Sequence, residues 1–587
     1  MHNKTSQPIV ALICLTAACL SIALPGRPTA RADEYRRLSV EEYRNKMKAG
    51  WVGQMAGVGW GGPTEFRFKG EIIPAENMPA WKPEMINQFN QDDIYVEMTF
   101  LRTLEQYGLD VSIRQAGIDF ATSGYRLWHA NAAGRDNLRG GIAPPDSGHP
   151  QFNGHADDID YQIEADYAGL IAPGLPGVVI ELGEKFGRLM NYGDGLYGGQ
   201  FVGGMYAEAF FESDVVKIIE AGLKCIPAES HYAETIRDML RWYEENPDDW
   251  QKTWQLVETK YHENADYAHQ LCSGPGGKGD FSIDAKLNGA YIVMGLLYGK
   301  GDLDQTILIS TRCGQDSDCN PANSGGVLFT TVGFSDLPER FTSAIDPGGK
   351  FSHTPYTFPK LIEVSEKLVR QAVVRAGGRI EKDDDGEEVF VIPVVEPKPS
   401  KLENVWEPGP IAESRFTEEE VARINAVRAD AIKARADADR AGRMAPAAVF
   451  KAFEEFAPGW SMRDCGREME PGLLARFGGK QDVFETHPLN RDTGCVLSKK
   501  VEIPAGKKTV LRLLVGHHPT GDWTLIVRAD GKQLLSKPIG ADTAENGWAE
   551  VTVDLTESAG KSVDLELVNQ PSDWRWEAAY WARIAVE

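Results

Sequence analysis

The chain has no C-x-x-C pair and no cluster of histidine and cysteine at zinc-ligand spacing, so nothing in the linear sequence points to a zinc module. After residue 32 it has no apolar run long enough to span a membrane. It is short of basic residues: 62 Lys and Arg face 86 Asp and Glu, a formal charge of −24. That deficit argues against nucleic acid and anionic membrane surfaces as electrostatic partners. A small phosphate-bearing substrate is not excluded, because bound cations could attract it locally. No fixed-period internal repeat occurs, and alternating β-branched runs are scarce before about residue 380.

At 587 residues the chain is too long for one core, and its 42% hydrophobic and 25% charged content is that of a globular protein. Residues 1–32 combine Lys4, an apolar stretch from Ile9 to Leu24 and Ala30-Arg31-Ala32, the pattern of an export signal with a small-x-small cleavage site. Its removal would leave a protein exported to the periplasm or outside, more acidic by three charges and with six of its eight cysteines. Export permits disulfides. Cys465 and Cys495 share one segment and form the favoured pair, whereas a Cys313–Cys319 bridge and two buried thiols stand equally open.

Residues 33–380 read as helices joined by glycine-rich turns. Ser39 with Glu42 three positions on is a capping box. Ile94, Met98, Leu101 and Leu104 share a helical face that stops at Gly108. Two helices break at Lys300-Gly301. Residues 381–445 are an acidic, Pro-rich linker or surface strand, then a charged helix capped by Thr417 and Glu420. Residues 446–587 alternate in short runs, with a hairpin turn at Asp530-Gly531, and read as a small antiparallel β-sandwich. The expected fold is therefore an all-α bundle, a linker with a helix, and a β-sandwich.

Two acid pairs stand out. Asp92 and Asp93 open one apolar helix, and Asp316 and Asp318 precede another in TRCGQDSDCNPANSGG. Acids suit a helix N-terminus, which is one explanation of either pair alone. Converging four carboxylates without a cation would cost several kcal/mol, and hard divalent ions with oxygen ligands remove that cost. A third stretch, GWVGQMAGVGWGGPTEF, has small residues that let a helix pack closely and then turn to present Glu65.

In this order and spacing, over roughly residues 40–345, the three stretches resemble the ADP-ribosylglycohydrolase family. The resemblance implies an orthogonal helical bundle with two divalent ions, Mg²⁺ first, with Ca²⁺ or Mn²⁺ as substitutes, and hydrolysis at an anomeric carbon. It places Asp92 and Asp93 as one metal pair and Asp316 and Asp318 as the other. Gln91 and Cys319 occupy the positions of two family threonines that also serve the metals. Glu65 matches the acid beside the scissile bond. A thiol is a poor Mg²⁺ ligand, so Cys319 is a departure. So is Val58, where an Asp is common in the family.

The loops that would read the substrate depart further. NGHADDID and YGDGLYGG supply Asn153, Gly154, His155, Asp157 and Asp194 as substrate-binding candidates, with Asp158 and Asp160 beside them. Either the acids form a solvated loop, or they favour a neutral sugar over a pyrophosphate. The sandwich carries Trp523, Trp574, Trp576, Tyr580 and Trp581, as core or as a sugar-stacking platform, and resembles a galactose-binding-like jelly roll. His517-His518 is read as incidental. The expected activity is glycosidic hydrolysis of an ADP-ribosyl, ribosyl or carbohydrate substrate. Its rivals are a metal-free two-carboxylate glycosidase and a non-catalytic carbohydrate-binding or scaffold protein.

Overall fold

The computed structural model describes residues 34–88, 90–264 and 283–587; the expected export signal lies outside them. The chain divides into two compact units, Met1–Val427 and Arg428–Glu587.

The first unit is built around the helix Val40–Gly61, capped by Ser39, whose Oγ accepts the Glu42 N–H at 3.0 Å. This helix is buried along almost its whole second half. A stripe of glycines explains how. A Cβ built on Gly53 would lie 2.5 Å from the carbonyl of Gly325, on Gly57 2.3 Å from Pro321, and on Gly61 2.0 Å from the carbonyl of Ser317. The helices Val40–Gly61 and Cys319–Val332 thus touch backbone to backbone, a separation that only glycine permits. Around the pair pack Asp92–Tyr107, ending at Gly108 with φ +79°, and the helices Ala285–Gly299 and Leu303–Arg312, broken at Lys300 and Gly301, both at positive φ.

The unit also contains a small antiparallel sheet, an addition to the expected helical bundle. Its strands β1 (Tyr35–Ser39), β2 (Arg379–Lys382) and β3 (Glu388–Pro393) lie in the order β1-β3-β2. The stretch after β3 lies along the helices: Arg188 pairs with Glu403 at 2.9 Å, Tyr197 donates to the Lys401 carbonyl at 2.7 Å, and Asp146 accepts the Ser414 N–H at 2.8 Å. The charged helix Glu418–Arg443 has the expected capping box, with the Thr417 N–H donating to Glu420 at 2.8 Å and the Glu420 N–H donating to Thr417 Oγ1 at 3.2 Å.

The second unit is a sandwich of two five-stranded antiparallel sheets. Its strands are β4 (Ser461–Arg463), β5 (Gly472–Phe477), β6 (Lys480–Thr486), β7 (Cys495–Glu502), β8 (Val510–His517), β9 (Trp523–Ala529), β10 (Lys532–Ile539), β11 (Trp548–Asp554), β12 (Ser562–Gln570) and β13 (Ala579–Val586). One sheet runs β10-β9-β12-β7-β4 and the other β11-β8-β13-β6-β5. Asp530 and Gly531 both take positive φ, the turn that matches strand twist in a two-residue hairpin. Trp523 and Trp581 are fully buried between the sheets with ring centres 5.5 Å apart. Trp576 differs: it is 53% exposed and stacks on His518, 4.6 Å between centres and 9° between planes. Its loop is anchored by buried Glu577, whose carboxylate takes the N–H groups of Ser572, Asp573 and Trp574, each at 2.9 Å. Cys465 and Cys495 are buried free thiols here, as are Cys313 and Cys319 in the first unit.

Candidate metal centre and active site

The close helix pair carries Glu65 to the second acid motif. Past Gly61 the chain turns through Gly62–Thr64, and Thr64 Oγ1 meets Ser317 Oγ at 2.9 Å. The Phe66 N–H donates to the Gln315 carbonyl at 3.1 Å, and the Gln315 N–H returns to the Phe68 carbonyl at 2.9 Å. The two loops are therefore laced together around Glu65, Asp316 and Asp318, with Gly314 at φ +84° making the bend.

Oxygens of Glu65, Asp316 and Asp318 lie within 4.8 Å of one another. Asp93, Asp318 and the Cys319 sulfur form a second such group, so Asp318 belongs to both. Asp93, Asp316 and Asp318 are essentially inaccessible, and Oδ1 of Asp93 and of Asp316 are buried without a hydrogen-bond partner. Burial, then mutual repulsion, holds the carboxyls of Asp93 and Asp318 well above the usual carboxylate range; burial does the same to Asp316. Glu65, half-buried, is pushed up to about 8 by burial and then by Asp318 and Asp92. Such a set is unfavourable as bare anions. Unsatisfied oxygens, clustered and buried, are what a hard divalent ion would satisfy.

In front of these groups is a cavity of about 340 Å³. Its described lining includes Glu65, Gln91, Asp92, Asp160, Asp316 and Cys319, with Phe66 packed against apolar Ile159 and Ile163 and with Trp128 and His129. Gln91 is the N-cap residue of Asp92–Tyr107 and makes no side-chain cap, which leaves its amide at the cavity wall. Trp128 and His129 were missed by sequence reasoning. Trp128 is the N-cap residue, without a capping side chain, and His129 the first residue of the helix His129–Arg139, so no local pattern marks them.

The substrate-loop candidates divide. Asn153 is fully buried and structural, donating to the Ala130 and Met190 carbonyls and accepting the His155 N–H. Gly154 is exposed. His155 pairs with Asp158 at 2.8 Å. Asp157 is buried, and its carbonyl accepts the Ala285 N–H at 3.1 Å. Asp194 does not join the cavity lining: it accepts the Tyr232 N–H at 3.0 Å and lies 3.8 Å from Lys286. Asp160 does line it, while capping the helix His129–Arg139 through the N–H groups of Ala130 and Asn131. The acids of these loops thus do not form one solvated patch. Burial and local partners fix them singly, which alternation and charge count do not reveal.

Residues 39–375 match the sequence pattern of the ADP-ribosylglycohydrolase family. Among solved structures, the chain is similar to an ADP-ribosylglycohydrolase-related protein complex, at 13% identity over 57% of this chain and 100% of the other, with a TM-score of 0.37. It is also similar to CBM35 from Paenibacillus barcinonensis (14% identity, 22% of this chain and 93% of the other, TM-score 0.17). A CBM22-1 xylan-binding domain from the same organism matches at 12% identity, 22% and 86% coverage and a TM-score of 0.17. No curated protein matches the chain.

Proposed function

The chain belongs to the ADP-ribosylglycohydrolase family, and from that membership we propose that it is an exported, divalent-metal-dependent hydrolase that cleaves neutral glycosides at the anomeric carbon. The observation that carries this reading is Asp318, shared between two groups of donor atoms, with Glu65 in one of them and facing the cavity.

Asp92, Asp93, Asp316 and Asp318 would hold the ions, with Gln91 at the wall and the Cys319 sulfur beside them; Mg²⁺ suits the carboxylate oxygens. When bound, such ions neutralise the acids and orient sugar hydroxyls and a water. The chain's own part follows from its geometry. Glu65 faces the cavity beside Asp316 and Asp318, and burial, the larger cause of its raised carboxyl, favours the protonated form that can pass a proton to a departing oxygen or nitrogen. Phe66 and Trp128 offer aromatic faces to a sugar ring, and Ile159 and Ile163 exclude water beside it.

The lining favours a neutral ring. Among its described residues the lining has neither Lys nor Arg, although the Arg126 guanidinium lies 4.8 Å from the ring centre of Trp128; Asp160, an acid beyond those of the ion centre, is the group a pyrophosphate would meet uncompensated. In the second unit, the exposed Trp576 face on His518 is read as a sugar platform. The test compares kcat/KM, with Mg²⁺, for a panel of aryl glycosides and for an ADP-ribosylated peptide. The glycosides should be the better substrates. Efficient cleavage of the peptide alone would overturn the substrate reading and leave an ADP-ribosyl hydrolase.

A further inference from the structure

Sequence spacing offers no zinc site, yet folding assembles a different donor set beside the carboxylate centre. We propose that His129, His155 and Asp158 form a separate site for a divalent transition metal of the zinc class, at the edge of the cavity. His155 Nδ1 lies 2.8 Å from Asp158 Oδ2, and His129 Nδ1 lies 3.9 Å from the same oxygen. One ligand atom from each residue falls within 4.8 Å of the others. In tetrahedral zinc with bonds of about 2.0–2.1 Å, neighbouring ligand atoms stand about 3.4 Å apart. The two distances to Asp158 bracket that value, and the third pair, His129 with His155, lies within 4.8 Å.

The backbone is set for this arrangement. His129 holds φ at +41°, a left-handed conformation that a non-glycine residue keeps only where its surroundings impose it. The surroundings are visible. Asp160 takes the next two N–H groups, and Asn153 takes the Ala130 carbonyl while also accepting the His155 N–H. Asn191 fastens the other end by donating to the Asp158 carbonyl at 2.8 Å. Three loops thus converge, and each of the tethering side chains is buried.

The chemistry separates this set from its neighbour. Two imidazole nitrogens and one carboxylate suit a borderline ion such as Zn²⁺ or Co²⁺, whereas the clustered carboxylates of the neighbouring centre suit Mg²⁺. Burial holds both imidazoles in the neutral form a metal requires. Asp158 contributes a side chain with no solvent exposure. Three protein ligands leave a fourth position open, as in catalytic rather than structural zinc sites. Since His129 lines the cavity, that position is suited to a substrate oxygen or a water. The site stands on its own donors and is independent of the glycoside reading.

The test uses untagged full-length protein, stripped of metal and then saturated with Mg²⁺ to occupy the oxygen centre. Co²⁺ is titrated while visible d–d absorption is followed, and Zn²⁺ is then added in competition. Wild type should bind one equivalent of Co²⁺ with a band that Zn²⁺ abolishes. His155→Ala should lose that equivalent, and Asp158→Asn, which preserves side-chain shape, should lose it too. Both variants should retain the Mg²⁺-dependent rise in melting temperature, which reports an intact fold. Absence of the band in wild type, or its persistence at full amplitude in a folded variant, would overturn the proposal.

Discussion

The thiol of Cys319 lies 3.2 Å from Oδ2 of Asp93 and 3.6 Å from Oδ1 of Asp318, so the first residue of one helix faces the acids that precede and open two helices. The sulfur sits where the proposed ions need oxygen. It is also a free thiol, while Cys313 directs its own Sγ to the Ile309 carbonyl at 3.2 Å. Cys319→Thr replaces a soft atom by a hard one at similar volume. The variant should bind Mg²⁺ at least as tightly as wild type, read as the Mg²⁺ concentration giving half the thermal shift. Markedly weaker binding by a folded variant would assign Cys319 to packing alone.

Stability should depend on pH and metal together. The site carboxyls are raised in the fold, so the native state binds more protons than the unfolded chain above about pH 4. Stability of metal-free protein should therefore fall as pH rises from the usual carboxylate range toward the value of about 8 for Glu65. Divalent ions displace those protons, so their stabilisation should be larger at pH 8 than at pH 5. Melting scans with chelator and with Mg²⁺ at both values check this; an equal ion effect at the two would contradict it.

The glycine stripe should be intolerant of even one carbon. Gly57→Ala and Gly61→Ala place Cβ 2.3 and 2.0 Å from backbone atoms that cannot rotate away. Each should cost about 1–3 kcal/mol or more. Gly61→Ala should also weaken Mg²⁺ binding, since it pushes Ser317 and Asp318 from Glu65. Gly154→Ala, with open space around its Cβ position, is the control expected to be near neutral in denaturant titrations.

Trp576→Ala should reduce retention of the protein on insoluble polysaccharide while leaving kcat/KM on small glycosides unchanged. The exposed ring packs on His518 rather than in the sandwich core, so the loss in stability should be small. Pull-down on a polysaccharide panel, beside thermal melting, measures both; unchanged retention would remove the platform role.

Much of the fold was legible in local patterns. Ser39 and Thr417 announce their helices, Gly108 ends one, and Asp530-Gly531 sets a hairpin, because each acts through its own neighbours. The bundle and sandwich followed from the change in apolar period. The acids of the centre were readable because four carboxylates near small residues demand a counter-charge. The sheet of β1, β2 and β3 was not, since β1 and β3 are joined only by folding, across some 350 residues. His129 and Trp128 were invisible for the same reason: their neighbours at the cavity come from distant loops. Asp194 is buried, accepts the Tyr232 N–H and lies 3.8 Å from Lys286, partners that its local sequence does not announce.

The central claim is that Asp93, Asp316 and Asp318 stay buried together because divalent ions join them, and that turnover needs those ions. Exhaustive chelation followed by measurement of both melting temperature and glycoside turnover, then re-addition of Mg²⁺, tests it most directly. Chelation should lower the melting temperature and abolish turnover, and Mg²⁺ should restore both. Unchanged melting and unchanged turnover in metal-free protein would contradict the account and leave a glycosidase working with carboxylates alone.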